Sequence, residues 1–338
     1  MMKTIICREI NEFYQTETEA PVPQQGEALV RIRRIGICGT DLHAFKGNQP
    51  YFTYPRILGH ELSGTVEAIA GEARGIAVGD QVAVIPYLEC GSCIACRSGK
   101  TNCCTQMRVL GVHTDGGMRE FIAVPADHLI VTNGLTLDQS AVLEPLSIGA
   151  HAVRRADPQP GENVLVIGAG PIGLGVMAIA KQRGARVIAM DMNDARLAFC
   201  REWAGADAVV NVRDNPQEQL RELTDGEFPS IVFDATGNAK SMESAFQYVS
   251  HGGKLVYVGL VSADIRFNDP EFHKREMTLM GSRNATREDF EVVMKALSGS
   301  AVDINAYITH RAGFDTMIER FEDWLNPANG VIKAVVEL

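Results

Sequence analysis

Hydrophobic and polar positions follow two rhythms along the chain. Residues 27–36 (EALVRIRRIG) alternate apolar and charged side chains, and 62–70 (LSGTVEAIA) and 79–85 (GDQVAVI) repeat the pattern. A period of two is that of a strand with one covered face. Pro, Gly and Asn punctuate these runs, so the first 150 residues read as β-rich and loop-rich. From about residue 160 the apolar runs become continuous: NVLVI (163–167), VIAMD (187–191), AVVNV (208–212), SIVFDAT (230–236), KLVYVGL (254–260) and MTLMGS (277–282). Helix-like stretches at 171–183, 194–204, 215–224 and 240–249 separate them. Strands covered on both faces and alternating with helices predict a doubly wound parallel sheet. After about 285 the alternation stops. Helix-like segments at 286–298 and 314–325 lead to a last strand, 332–338, expected to return to the first unit.

A length of 338 residues suits two domains. With 46% hydrophobic and 22% charged residues there is ample apolar surface to bury, which excludes a disordered chain. The formal charge of −10 argues against a nucleic-acid binder. No run approaches the ~18 apolar residues of a membrane span. Met1 to Glu9 carries no apolar core or cleavage site, so a signal peptide is not expected and the cytoplasm is the expected location.

Five of the eight cysteines lie between positions 90 and 104. In a long chain without an export signal, metal ligation is a better reading than a disulfide framework. Cys90, Cys93, Cys96 and Cys104 can close a tetrahedron around Zn(II) and leave no open position, which marks a structural site. Gly91 and Gly99 let the loop turn back. Cys104 fits the fourth spacing better than its neighbour Cys103, though an exchange of the two stays open.

Gly168-Ala169-Gly170-Pro171-Ile172-Gly173 follows the NVLVI strand and opens a helix. At such a junction, GxGxxG is a dinucleotide fingerprint. Gly168 permits the turn, Gly170 lets the backbone approach a pyrophosphate, and Gly173 lets the helix pack closely. Asp191 ends the next strand. A carboxylate there accepts hydrogen bonds from ribose hydroxyls and repels a 2′-phosphate, which favours NAD over NADP, while Arg196 stands close enough in sequence to weigh the other way. Thr236, Val258, Gly259 and Ser282 end later strands of the same sheet and are expected to line the cofactor.

Cys38, His60 and Glu61 offer S, N and O donors. Three protein ligands with one open position make a catalytic zinc site. Glu144 is a further carboxylate for the ion, direct or through water. Two zinc ions per chain are therefore expected, one catalytic and one structural.

On these residues the chain resembles the zinc-dependent medium-chain dehydrogenases of the sorbitol and threonine dehydrogenase branch. The likeness runs end to end, through GICGTDLH (36–43), GHELSG (59–64), the four-cysteine lobe, GVHTDGGMREF (111–121), LEPLSIG (143–149) and GAGPIG (168–173). Two further stretches, 47–61 and 269–290, resemble bacterial sugar-acid dehydrogenases of the L-galactonate 5-dehydrogenase type. The resemblance implies a GroES-like β-rich catalytic domain over 1–147 with the structural-zinc lobe at 88–106. It implies a Rossmann NAD-binding domain over 148–284 and a return to the catalytic domain over 285–338. It also implies a homodimer or homotetramer.

The expected reaction is oxidation of a secondary alcohol to the ketone, with hydride transfer to the nicotinamide. The resemblance implies that Thr40 passes the hydroxyl proton toward the nicotinamide ribose and His43 passes it to solvent. Asp41 is expected to orient His60 by accepting its second N–H. The sugar-acid substrate, such as L-galactonate or L-gulonate at C5, rests on resemblance. A polyol or L-threonine is the alternative, and a non-catalytic nucleotide-binding protein is a third class. Arg283, Asn284, Arg56 and His113 are candidate substrate contacts, being cations or polar groups suited to a carboxylate or hydroxyl.

Overall fold

The computed structural model describes residues 1–49, 52–73, 75–299 and 302–338; Pro50 and Tyr51, inside the 47–61 stretch singled out above, lie outside the described residues. The chain divides into two units, Met1–Glu144 with Met294–Leu338, and Pro145–Val293. These divisions fall inside helices Leu143–Ala156 and Arg287–Ser298.

In the first unit the alternating runs become strands of one seven-stranded sheet. Glu27–Ile37 is its centre, flanked by Glu61–Ile69 and Phe121–Pro125, with Gln81–Val84 and Leu129–Val131 beyond. Ala28, Val30 and Ile32 alternate onto the buried face with essentially no exposure, as the period of two requires, and after a register shift between Ile32 and Arg34 the strand ends in the buried run Ile35, Gly36 and Ile37. The C-terminal strand Lys333–Glu337 pairs antiparallel with the end of Glu27–Ile37, in the register Ala334 to Ile37. A parallel strand, Ile308–Gly313, adds to its outer edge; its mixed ITHRAG sequence hid it from a pattern reading. An N-terminal hairpin, Met2–Glu9 with Glu12–Thr18, was likewise not expected. Its turn is made by Asn11 at φ +60, and Phe13 stacks on Phe45 at 4.9 Å.

In the second unit six parallel strands lie in the order Ala208–Asn211, Arg186–Asp191, Asn163–Ile167, Ile231–Asp234, Lys254–Tyr257, Thr278–Gly281. Val164, Leu165, Val166, Val187, Ile188, Ile231 and Val232 are fully buried, which explains their unbroken hydrophobicity. The order reverses on either side of Asn163–Ile167. Ligands of such sheets bind beyond the carboxyl ends of the strands at this switch point.

Candidate active site and metal centres

Strand pairing assembles the first cluster. Cys38 follows strand Glu27–Ile37 and precedes the short helix Gly39–Phe45, while His60 and Glu61 open the neighbouring strand. The register sets Gly36 opposite Glu61. A Cβ at Gly36 would sit 2.0 Å from Glu61 Oε2, so only glycine leaves room for that carboxylate. Ligand atoms of Cys38, His60 and Glu61 lie within 4.8 Å of one another. His60 and Glu61 are buried, and the Nδ1 atom of His60 finds no hydrogen-bond partner among the described residues.

Both Glu61 oxygens accept from the Lys333 ammonium, at 2.6 and 2.8 Å, and the same nitrogen donates to the Ile37 carbonyl at 3.1 Å. Lys333 is 2% exposed. Burial acts to lower its pKa, but the negative groups around it, Glu61 foremost, together prevail and raise it. Glu144 is not part of the 4.8 Å group. Its carboxylate accepts the Tyr87 hydroxyl. Burial, with Glu61 nearby, pushes the Glu144 carboxyl up to about 7. For His60, burial opposes the charged form, but the negative groups Asp41 and Cys38 prevail and raise its pKa.

Asp41 departs from the expected role. Its Oδ1 stands 3.7 Å from His60 Nδ1, too far for a hydrogen bond. It accepts instead the backbone N–H groups of Cys38 (2.9 Å) and Gly59 (3.2 Å). At the third position of the short helix, its side chain reaches back and fixes the two turns that carry Cys38 and His60. Thr40, half-buried, and His43, exposed, share one face of that helix at i, i+3.

The second cluster is local. Sulfurs of Cys90, Cys93, Cys96 and Cys104 lie within 4.8 Å of one another, with Cys93 and Cys96 at 3.4 Å. A tetrahedral ion with Zn–S bonds of ~2.3 Å needs sulfurs ~3.8 Å apart. Backbone N–H groups of Cys93 and of Gln106 point at the Cys90 and Cys104 sulfurs, at 3.4 and 3.3 Å. Backbone hydrogen bonds hold the Cys90 and Cys93 thiols down, to about 7 and about 5. Cys103 is exposed and stands apart from the group, whereas Cys104 is buried.

In the second unit Gly168 adopts φ +99, closed to other residues without strain. A Cβ at Gly173 would strike the Gly168 carbonyl at 1.8 Å, while one at Gly170 would meet open space. Helix Pro171–Gln182 begins here, with Pro171 and Ile172 in its first turn. Asp191 Oδ2 accepts the Ala169 N–H at 2.7 Å and Oδ1 the Asn193 N–H at 2.9 Å, tying the glycine turn to the next strand end. Capping of the following helix is done by Asn193, which accepts the Arg196 N–H at 3.1 Å. Buried Asp234 holds Thr236 through its N–H and hydroxyl, at 2.9 and 2.7 Å, and its carbonyl receives the Val258 and Gly259 amides. Ser282 Oγ is buried without a partner. All these residues stand at carboxyl ends of strands.

Residues 24–133 match the alcohol dehydrogenase GroES-like domain and 171–299 the zinc-binding dehydrogenase domain. The chain is 44% identical over 339 residues to L-galactonate-5-dehydrogenase of Escherichia coli K12, covering 99% of this chain and 98% of that one. It belongs to the zinc-type medium-chain alcohol dehydrogenases. Sorbitol dehydrogenase of Bacillus subtilis is 30% identical (99% and 97% covered), and L-threonine 3-dehydrogenase of Pyrococcus horikoshii 33% (90% and 90%). An E. coli CFT073 alcohol dehydrogenase complexed with NADH superposes with a TM-score of 0.93 at 30% identity, covering 100% and 99%. A Sinorhizobium meliloti protein bound to NADP gives 0.91 at 26%, again covering 100% and 99%.

Of the candidate substrate contacts, Arg56 and His113 lie in the first unit and Arg283 and Asn284 in the second. Arg56 is engaged by Asp115 (3.3 Å) and Thr53 (3.0 Å), and His113 Nδ1 accepts the Val109 N–H at 3.0 Å; both serve local turns. Arg283 is exposed, and Asn284 is half-buried at φ +52. Two residues of the metal pocket escaped sequence reasoning. Lys333 had a signal, a charge within the apolar strand IKAVVEL. Tyr87 had none, since its neighbours do not distinguish a buried phenol from a surface one.

Proposed function

We propose that this dehydrogenase oxidises a secondary alcohol of a sugar acid, such as L-galactonate or L-gulonate at C5, with NAD as hydride acceptor. The observation that carries the substrate class is the 44% identity to L-galactonate-5-dehydrogenase across nearly the whole of both chains, against 30% and 33% for the sorbitol and threonine enzymes. The donor set suits a catalytic zinc: a thiol, an imidazole with an orphaned buried nitrogen, and carboxylates. Charge suits it too. A divalent ion would offset the acidic groups Cys38, Asp41, Glu61 and Glu144, of which Lys333 neutralises one.

Zinc there supplies Lewis acidity that lowers the pKa of an alcohol hydroxyl. Cys38 and His60 hold the ion, with Glu61 or Glu144 as the carboxylate, and Asp41 keeps both turns in place. A bound nicotinamide would supply the hydride acceptor. Thr40 Oγ1 would take the hydroxyl proton toward the nicotinamide ribose, and His43, exposed, would pass it to solvent. Gly168, Gly170 and Gly173 would seat a pyrophosphate, and Asp191 would receive the ribose hydroxyls, which is the basis for preferring NAD. The Cys90, Cys93, Cys96 and Cys104 lobe holds a second, structural zinc. None of the eight cysteines forms a disulfide among the described residues, which suits a reducing compartment such as the cytoplasm.

The test is a steady-state panel of L-galactonate, L-gulonate, sorbitol and L-threonine with NAD and with NADP. The expected outcome is a kcat/KM for a sugar acid with NAD at least about tenfold above every other pair, a preference of about 1.4 kcal/mol. Turnover of sorbitol or threonine alone contradicts the proposal.

A further inference from the structure

The short helix Gly39–Phe45 carries Thr40 in its first turn and His43 in its last. Two turns are too few for a helix to hold itself in water. Asp41 fixes the first turn through the Cys38 amide. The end is fixed from outside. The carbonyls of Leu42, His43 and Ala44 receive the amides of Lys46, Asn48 and Gly47, at 3.1, 2.8 and 3.1 Å. The last carbonyl, that of Phe45, receives the Asn11 amide at 2.8 Å, from the turn of the N-terminal hairpin. The Tyr54 hydroxyl donates to the Ala44 carbonyl as a second partner. A helix end leaves such carbonyls without partners of its own, and here distant residues supply them.

Side chains repeat the arrangement. Phe13, two residues beyond Asn11, stacks on Phe45 at 4.9 Å with the rings 16° apart. Phe321 meets both rings edge-on, at 4.8 and 5.2 Å. All three are buried. The hairpin is anchored in turn. Cys7 exchanges both backbone hydrogen bonds with Arg56, at 2.9 Å each, and the Ile5 amide donates to the Met118 carbonyl at 2.9 Å. The last turn of the helix therefore rests on a fixed abutment.

Resting on the proton route read above, we propose that Phe13 and Tyr54 are positioning residues that keep this last turn wound, so that His43 stays one turn beyond Thr40 and in place to take its proton. The role needs no contact of either with substrate or cofactor. Each acts through where His43 stands.

The test compares Phe13→Ala, Tyr54→Phe and His43→Ala with the wild type, as the whole zinc-loaded protein. Hydrogen exchange over residues 39–48, followed by mass spectrometry without substrate, reports whether the turn opens. It is expected to speed about tenfold in Phe13→Ala and about threefold in Tyr54→Phe. Turnover is then measured with NAD and the best alcohol of the panel above. kcat is expected to fall by about tenfold in Phe13→Ala and about threefold in Tyr54→Phe, with zinc content and KM for NAD unchanged, and imidazole in the buffer restores most of the loss, as it does for His43→Ala. Residues that served the fold alone would lose turnover that imidazole does not restore. If Phe13→Ala does not fold, Tyr54→Phe decides, since it removes one hydroxyl and no packing. If a folded variant of either residue keeps the wild-type exchange or kcat, or is slowed without rescue, the proposal is overturned, and the rescue of His43→Ala leaves the proton route standing. If His43→Ala runs at the wild-type rate, or is slowed and not restored, the proton route fails and this proposal falls with it.

Discussion

In the cysteine lobe four like donors come from residues 90–104, near the surface, steadied by backbone amides. In the metal pocket three unlike donors come from positions 38, 60 and 61, Cys38 half-buried and His60 and Glu61 buried, with the buried Glu144 near them and Glu61 steadied by a side chain far along the chain. Lys333 is 272 residues from the Glu61 it neutralises. The lobe spends all its donors on one another, the arrangement of a closed site. The pocket carries a carboxylate beyond the cluster, Glu144, which accepts the Tyr87 hydroxyl, and a surplus of acidic groups that a divalent ion would offset. Closure suits structure, and a reserve ligand suits exchange with substrate.

Substitutions can break this contrast in graded ways. Cys38→Ala is expected to cost about 10³-fold or more in turnover, since the ion's charge stabilisation is worth several kcal/mol, while NAD binding measured by fluorescence titration persists. Cys104→Ser is expected to empty the lobe and lower stability on the order of several kcal/mol, read in thermal unfolding, whereas Cys103→Ser leaves both metal content and melting unchanged. That pair of variants also settles which of the adjacent cysteines is the ligand. Lys333→Met strands a buried carboxylate and should cost ~3–5 kcal/mol in urea unfolding; adding Glu61→Gln should recover much of it. Equal stability of the single and double variants would show that the pair is not the strut described. The smallest effect belongs to the other unit. Asp191→Ser removes a charged acceptor, worth ~1.5–3 kcal/mol, and should shift the NAD to NADP preference toward NADP by ~10–100-fold, read as a ratio of kcat/KM values.

The legibility of the two sites in the sequence follows the same divide. The lobe could be read because its ligands are near neighbours, and a fixed spacing needs no fold to bring them together. The glycine turn was legible for a similar reason, being confined to residues 168–173 after an unmistakable strand. Cys38, His60 and Glu61 could be named from their local motifs, but what surrounds them could not. The Lys333 ammonium arrives through the pairing of Ala334 with Ile37, a register set by a sheet that closes across the ends of the chain. Asp41 is expected at His60 because zinc histidines usually donate their second N–H to a carboxylate, yet its place in the short helix directs it to two backbone amides. The N-terminal hairpin and strand Ile308–Gly313 were missed because neither keeps a clean period of two, and tertiary pairing overrides weak local pattern.

The central claim is that the Cys38 pocket holds a metal ion of its own, distinct from that of the lobe. Metal analysis of the purified protein and of Cys38→Ala, set beside NADH formation from L-galactonate, tests it most directly. The account predicts about two zinc ions per chain in the wild type and about one in the variant, with loss of turnover in step. One zinc in both proteins, with turnover retained in Cys38→Ala, would contradict it.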